Sequence, residues 1–310
     1  MKGKIICALS GLFVSVGTVL AQTPVYPVFL TDGISSEAVT ILNNRLDNAF
    51  SQYGFGFASS PERIALSISC NVTENHVVPS SPTRVSKKMD LVLKIGDVVD
   101  NQVFASVIIP LSGIGRSDNK AIIAAFSSVS SENHVLAGML SNLEGKMADY
   151  YSSHSKEILN NARTKAMTGS FDEAIAYLVT VPSVDKSCYS ECQSLAVSFY
   201  AEKVNEASRE AYENALAAWV SSKDRQGASL AVSYLKKVDP ASEAYPEALQ
   251  LWREVSDKLD ADEQAERAHA QQVYEDKVDF RNRILDTVRA IGVAFGEHQA
   301  QSITKFIKRW

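Results

Sequence analysis

Apolar and polar positions alternate from Ile64 to Val72: Ile64, Leu66, Ile68, Cys70 and Val72 fall on one side, and Ala65, Ser67, Ser69 and Asn71 on the other. A period of two marks a half-buried strand. Leu91, Leu93 and Ile95 repeat it, and the run from Val103 to Leu111 is β-branched and aromatic. Pro24 to Leu30 reads as a strand near an edge, because proline cannot donate to a central ladder. After it, Ala38, Leu42, Leu46, Ala49 and Tyr53 share one helical face, with Ser35 as the N-cap and Gly54 as the stop. Asn75 to Lys88 reads as a protruding hairpin connection, Asp97 to Asn101 as a tight turn, and about Ser117 to Val129 as a helix. The order β, α, β, β, β, α predicts an α+β fold, a small mixed or antiparallel sheet of about four strands with two helices on one face.

From Ser153 the period changes to that of helices. Ala162, Ala166, Gly169, Phe171 and Ala174 suit a close-packed helical hairpin turning at Gly169-Ser170, with Phe171, Ala174, Tyr177 and Leu178 in the seam and Val181-Pro182 ending the second helix. The phrase around Tyr177 recurs: Ala174-Ile-Ala-Tyr177-Leu178-Val-Thr-Val181 is matched by Ala231-Val-Ser-Tyr234-Leu235-Lys-Lys-Val238. Ala215, Ala218 and Trp219 precede the second copy, Gly227 stands at its turn, and Val238-Asp239-Pro240 follows, so Ala231, Tyr234 and Leu235 form a second seam. A helix from about Tyr189 to Lys223 is expected between the copies, and another from about Ala241, with Tyr245, Leu249, Trp252, Val255 and Leu259 as its stripe. Asp257 to Asp279 is a charged helix, and Ile303, Phe306, Ile307 and Trp310 close an amphipathic C-terminal segment. That segment suits docking to a partner, to a membrane surface or to the chain's own helices.

Lys2 and Lys4 precede an apolar run from Ile5 to Leu20, and the pattern ends at Ala21 before the polar Gln22. This is the grammar of an export signal cleaved between Ala21 and Gln22, and it places the protein in the periplasm, at the outer membrane or outside the cell. Four segments are therefore expected: 1–21 as the signal, 22–150 as the α+β domain, 151–260 as the helical hairpins, and 261–310 as the C-terminal helix.

Composition excludes some partners. Residues 22–150 hold nine Lys and Arg against twelve Asp and Glu, and 151–310 hold twenty against twenty-four, so neither part has the basic excess that nucleic-acid binding requires. Cys188 and Cys192 stand four apart, too far for a disulfide on a regular helix unless Cys188 sits in the turn before it. That bridge stays open as one alternative, buried free thiols being the other. The five histidines have no second histidine three to five residues away, and no Gly-x-Ser-x-Gly elbow is present. No catalytic, cofactor-binding or metal-binding residue is expected. Gly113-x-Gly115 ahead of a helix invites a phosphate-loop reading, but it lacks the third glycine or the Gly-Lys-Ser ending.

Two resemblances follow from these residues. The hairpin parts resemble tetratricopeptide-type repeats, although a 57-residue offset between Ala174 and Ala231 departs from their period of about 34. The strand ending Leu111-Ser-Gly113-Ile-Gly115-Arg116-Ser117, with the helix Lys120-Ala-Ile-Ile-Ala-Ala-Phe126, resembles the α+β domain of the curli-secretion-channel and penicillin-binding-protein-activator superfamily of envelope proteins. Many of those are lipoproteins, and this chain lacks their lipid-bearing cysteine. Together they imply an exported non-catalytic scaffold or adaptor that binds a protein or peptide partner through helical hairpins. A homo-oligomeric structural subunit of an envelope or secretion assembly is the alternative, and a hydrolase of envelope polymers a third.

Overall fold

A computed structural model describes residues 22 to 256. The proposed signal, residues 1–21, and the C-terminal segment with Ile303, Phe306, Ile307 and Trp310 lie outside the described residues.

The N-terminal part is α+β. Its sheet has five strands, β1 (Thr23–Phe29), β2 (Phe55–Phe57), β3 (Ile64–Val78), β4 (Arg84–Asp97) and β5 (Gln102–Gly115), in the order β2-β1-β3-β4-β5. The sheet is mixed: β1 runs parallel to both β2 and β3, and β3, β4 and β5 form an antiparallel meander. The strand beyond the four expected is β2. Three residues, Phe55-Gly-Phe57, are too few to show a period, and only pairing with Thr23 to Val25 makes them a strand. Asn75 to Lys88 also differs from expectation, because β3 reaches Val78 and β4 starts at Arg84, leaving a short turn at the end of a long ribbon. Backbone pairing continues there although Asn71 to Val77 are exposed, so side-chain pattern carries no sign of it.

Three helices cover one face of this sheet: α1 (Ser36–Ser51), α2 (Asp118–Ser127) and the first half of α3 (His134–Met167). Ser35 caps α1 through a bond from the Ala38 amide, and Ser117 caps α2 through one from Lys120. Ala38, Leu42, Leu46 and Ala49 are buried as their spacing requires, while Tyr53 lies past the helix end and Phe50 takes the inner place. Gly113 and Gly115 have a packing role. A Cβ on Gly113 would collide with the Ala121 carbonyl and the Ala125 amide, and one on Gly115 with the Ala121 amide. The two glycines let α2 lie directly on β5.

The rest of the described chain is helical: α4 (Phe171–Val179), α5 (Lys186–Ser221), α6 (Arg225–Leu235) and α7 (Tyr245–Ser256). The turn between α3 and α4 carries Gly169 at φ +79°, a left-handed conformation suited to glycine. The short helices α4 and α6 are the two copies of the repeated phrase, each folded against a much longer helix. At 36 residues, α5 spans about 54 Å, and its two ends pack on different short helices, α4 and then α6. This one helix accounts for the 57-residue offset. Gly227 sits inside the first turn of α6 and not in the turn before it, because Asp224 caps that helix and the Ser222 carbonyl passes too close for a Cβ. On α7 the inner stripe is Ala248, Leu251 and Val255, with Leu249 and Trp252 only half-buried.

Helix α3 crosses position 150 without a break, and one apolar cluster runs from Val25 on the sheet to Phe199 on α5. A second, smaller cluster joins the later part of α5 to α6 and α7. No described helix is long and apolar enough to cross a membrane.

Candidate functional site

Two features stand out in the described residues, a buried ionic cluster and an acidic trough. The cluster centres on Arg63, which precedes β3 and is 3% exposed. Its Nε donates to Asp97 Oδ2 at 2.6 Å, its second terminal nitrogen pairs with Asp100, and Nη1 donates to the Tyr177 carbonyl at 2.9 Å. That carbonyl lies in the last turn of α4, where helix carbonyls lack intrahelical donors, so Arg63 caps α4 from the sheet. Asp97 is wholly buried and accepts in addition from Tyr151 Oη at 2.6 Å and from the amides of Val99 and Asp100. Tyr177 Oη donates to Asp100 at 2.9 Å, and the guanidinium lies 4.9 Å from the Tyr177 ring centroid.

Charge and burial shape proton affinities here. Burial opposes the charge on Arg63, but Asp97, Tyr151 and Asp100 more than offset it and hold the guanidinium well above its usual pKa. Burial and then Asp97 push Tyr151 upward, and burial raises Tyr177 to about 12. A tyrosine whose pKa is raised on folding stabilises the fold fully below its unfolded value of about 10. That contribution is lost as pH rises through about 12. We expect wild-type stability to fall across this window and Tyr177→Phe to flatten the fall, as measured by urea unfolding at stepped pH.

The two tyrosines of the repeated phrase thus differ in function. Tyr177 holds the hairpin to the sheet, whereas Tyr234 is half-buried, with the Lys237 ammonium 5.3 Å from its ring. Near neutral pH, Tyr177→Phe should cost about 1–3 kcal/mol by stripping a donor from the Asp100 carboxylate, and Tyr234→Phe less than about 0.5 kcal/mol. Equilibrium denaturation of the pair checks this. Of the remaining seam positions, Ala174, Leu178 and Ala231 are 0% exposed, Leu235 is 3% exposed, and Phe171 meets Phe199 edge-on at 6.4 Å.

The trough crosses the exposed middle of α5. One hollow, of about 470 Å³, lies between the α3–α4 turn, the start of α4 and α5; the other, of about 390 Å³, lies between α5 and the approach to α7. Glu206 and Glu210 line both, so the two hollows adjoin across α5. Its other carboxylates are Asp172, Glu173, Glu213 and Glu243, against the two cations Lys203 and Arg209. Lys203 is engaged by Asp172 and Arg209 by Glu247, both at 2.6 Å. Glu206, Glu210 and Glu213 form no ion pair among the described residues. Their spacing puts like charges side by side on α5, an arrangement that costs stability in isolation. Sequence reading missed this trough, because these carboxylates resemble any solvated helix face until the start of α4 and the segment before α7 flank them.

Cys188 and Cys192 are both buried in α5, as free thiols with Sγ atoms 4.0 Å apart. Asp185 caps the helix, so Cys188 occupies its first turn and not the preceding loop that a bridge on a regular backbone would require. Among the described residues no group of three or more potential metal ligands is gathered.

No protein-family model matches this chain, and no curated protein matches it by sequence. Among solved structures, a minor lipoprotein from Acinetobacter baumannii is similar over 38% of this chain and 93% of its own, at 9% identity and a TM-score of 0.28, too low to assign a shared fold.

Proposed function

We propose that this protein is an exported, non-catalytic adaptor of the cell envelope that holds a protein or peptide partner in the trough across α5. The observation that carries the reading is the pair Glu206 and Glu210, shared by both hollows and in no ion pair among the described residues, since the neighbouring Lys203 and Arg209 are engaged by Asp172 and Glu247. Walls from two hairpins and a helical floor make a surface like the concave faces of tetratricopeptide-type proteins, which hold extended peptides. The excess of carboxylates selects a segment carrying lysine or arginine, and complementary charge favours both encounter and register. Export rests on the N-terminal pattern ending at Ala21 and Gln22.

Fluorescence anisotropy with a labelled extended decapeptide containing alternating lysines tests the binding mode. Binding should weaken with salt and fall at least about tenfold in the double variant Glu206→Lys/Glu210→Lys. Equal binding by wild type and variant would remove the trough as the site.

The reading as a subunit of an envelope assembly draws on a different feature. Ile108 and Ile114 are more than half exposed along one face of edge strand β5, and sedimentation that finds only monomer at high concentration would count against it.

A further inference from the structure

We propose that Cys188 and Cys192 are a redox-active dithiol, which exchanges with a small-molecule or protein disulfide by opening the first turn of α5. Their contact is direct, at 4.0 Å between sulfurs, and Cys188 stands three residues inside a helix N-terminus capped by Asp185. Cys192 hydrogen-bonds to Cys188 and lowers its pKa, so the pair gives up its first proton more readily than a lone buried thiol. Cys70 is the contrast, raised to about 11 by burial and by Asp90. The pair is inaccessible as it stands, Cys188 at 1% and Cys192 at 0% exposure, but the turn that holds Cys188 lies at the surface. Ser183, Lys186 and Ser187, on and just before the first turn, are exposed.

The exchange proceeds in two steps. The Cys188 thiolate attacks one sulfur of the incoming disulfide, forming a mixed disulfide and expelling one thiolate. Cys192 then loses its proton, attacks Cys188 Sγ and expels the second thiolate. The protein dithiol is oxidised by two electrons, and the incoming disulfide is reduced to two thiols. Helical residues four apart hold Cβ atoms about 5.5–6 Å apart, whereas a disulfide needs about 3.5–4.5 Å. Closing that gap requires the first turn, Lys186 to Tyr189, to unwind.

The test incubates the full-length protein with glutathione disulfide, quenches with iodoacetamide in denaturant and maps tryptic peptides by mass spectrometry. Ser187 to Lys203 forms one peptide containing both cysteines. After oxidation it should be unalkylated and two hydrogens lighter than its reduced form, while the Cys70 peptide stays alkylated. Hydrogen exchange of the oxidised protein should rise at Ser183 to Tyr189. Neither readout needs a variant, so misfolding of a cysteine mutant cannot obscure the result. Recovery of the peptide doubly alkylated after prolonged exposure, or held as a glutathione adduct, would overturn the proposal. So would a closed bridge with unchanged exchange at the first turn.

Discussion

Arg63→Met is expected to destabilise the protein by about 3–5 kcal/mol, the usual cost of stranding a buried charge by removing its partner. Asp97 would stay at 0% exposure with the amides of Val99 and Asp100 and the Tyr151 hydroxyl as donors, but with no cation beside it. The Tyr177 carbonyl in the last turn of α4 would lose its Arg63 donor in the same step and keep only the longer bond from the Thr180 hydroxyl at 3.3 Å. For a protein of this size the melting temperature should fall by roughly 10 °C. Adding Asp97→Asn to Arg63→Met should restore part of the loss, because the stranded group is then neutral. A double-mutant cycle by urea unfolding measures both effects, and a neutral Arg63→Met would show that the cluster does not join sheet to hairpin.

The second large effect is expected at Gly113. Gly113→Ala places a methyl against the Ala121 carbonyl and the Ala125 amide, both backbone atoms of α2. No side chain can rotate away, so the helix itself must lift from β5. Overpacking costs about 1–3 kcal/mol where neighbours yield, and a backbone obstacle puts this substitution at or above the upper end. Gly138→Ala, a control in the first turns of α3 with nothing near its Cβ position, should be neutral or stabilising. Thermal melts of the two variants compare them directly.

The same glycines show where sequence reasoning succeeds and where it stops. Local grammar placed the helix after Gly115, beginning near Ser117, which proves to be its cap. It could not say why glycine recurs at 113 and 115, because the answer is the approach of α2 from outside the strand. Strand β2 was hidden for a related reason, its pairing with β1 being long-range. The later half of α3 and the helices α4 to α6 were legible because their spacing is internal to each element, and the long α5 followed from the offset between two copies of one phrase; the half of α3 from His134 to Ser152 was not read as helix. The ionic cluster was not legible at all. Asp97 and Asp100 look like turn residues and Arg63 like a strand flank, and only the fold brings them under Tyr151 and Tyr177. The trough was hidden in the same way, as exposed glutamates become a site only when other segments flank them on both sides.

Chemical-shift mapping locates the bound peptide residue by residue. Titrating isotope-labelled protein with the lysine-containing decapeptide should perturb amides from Lys203 to Glu213, together with the α3–α4 turn at Gly169 to Glu173 and the residues around Glu243. Saturation should shift to higher peptide concentration with added salt. Perturbations confined to the sheet, or absent from α5 while the peptide binds, would contradict the assignment of the trough.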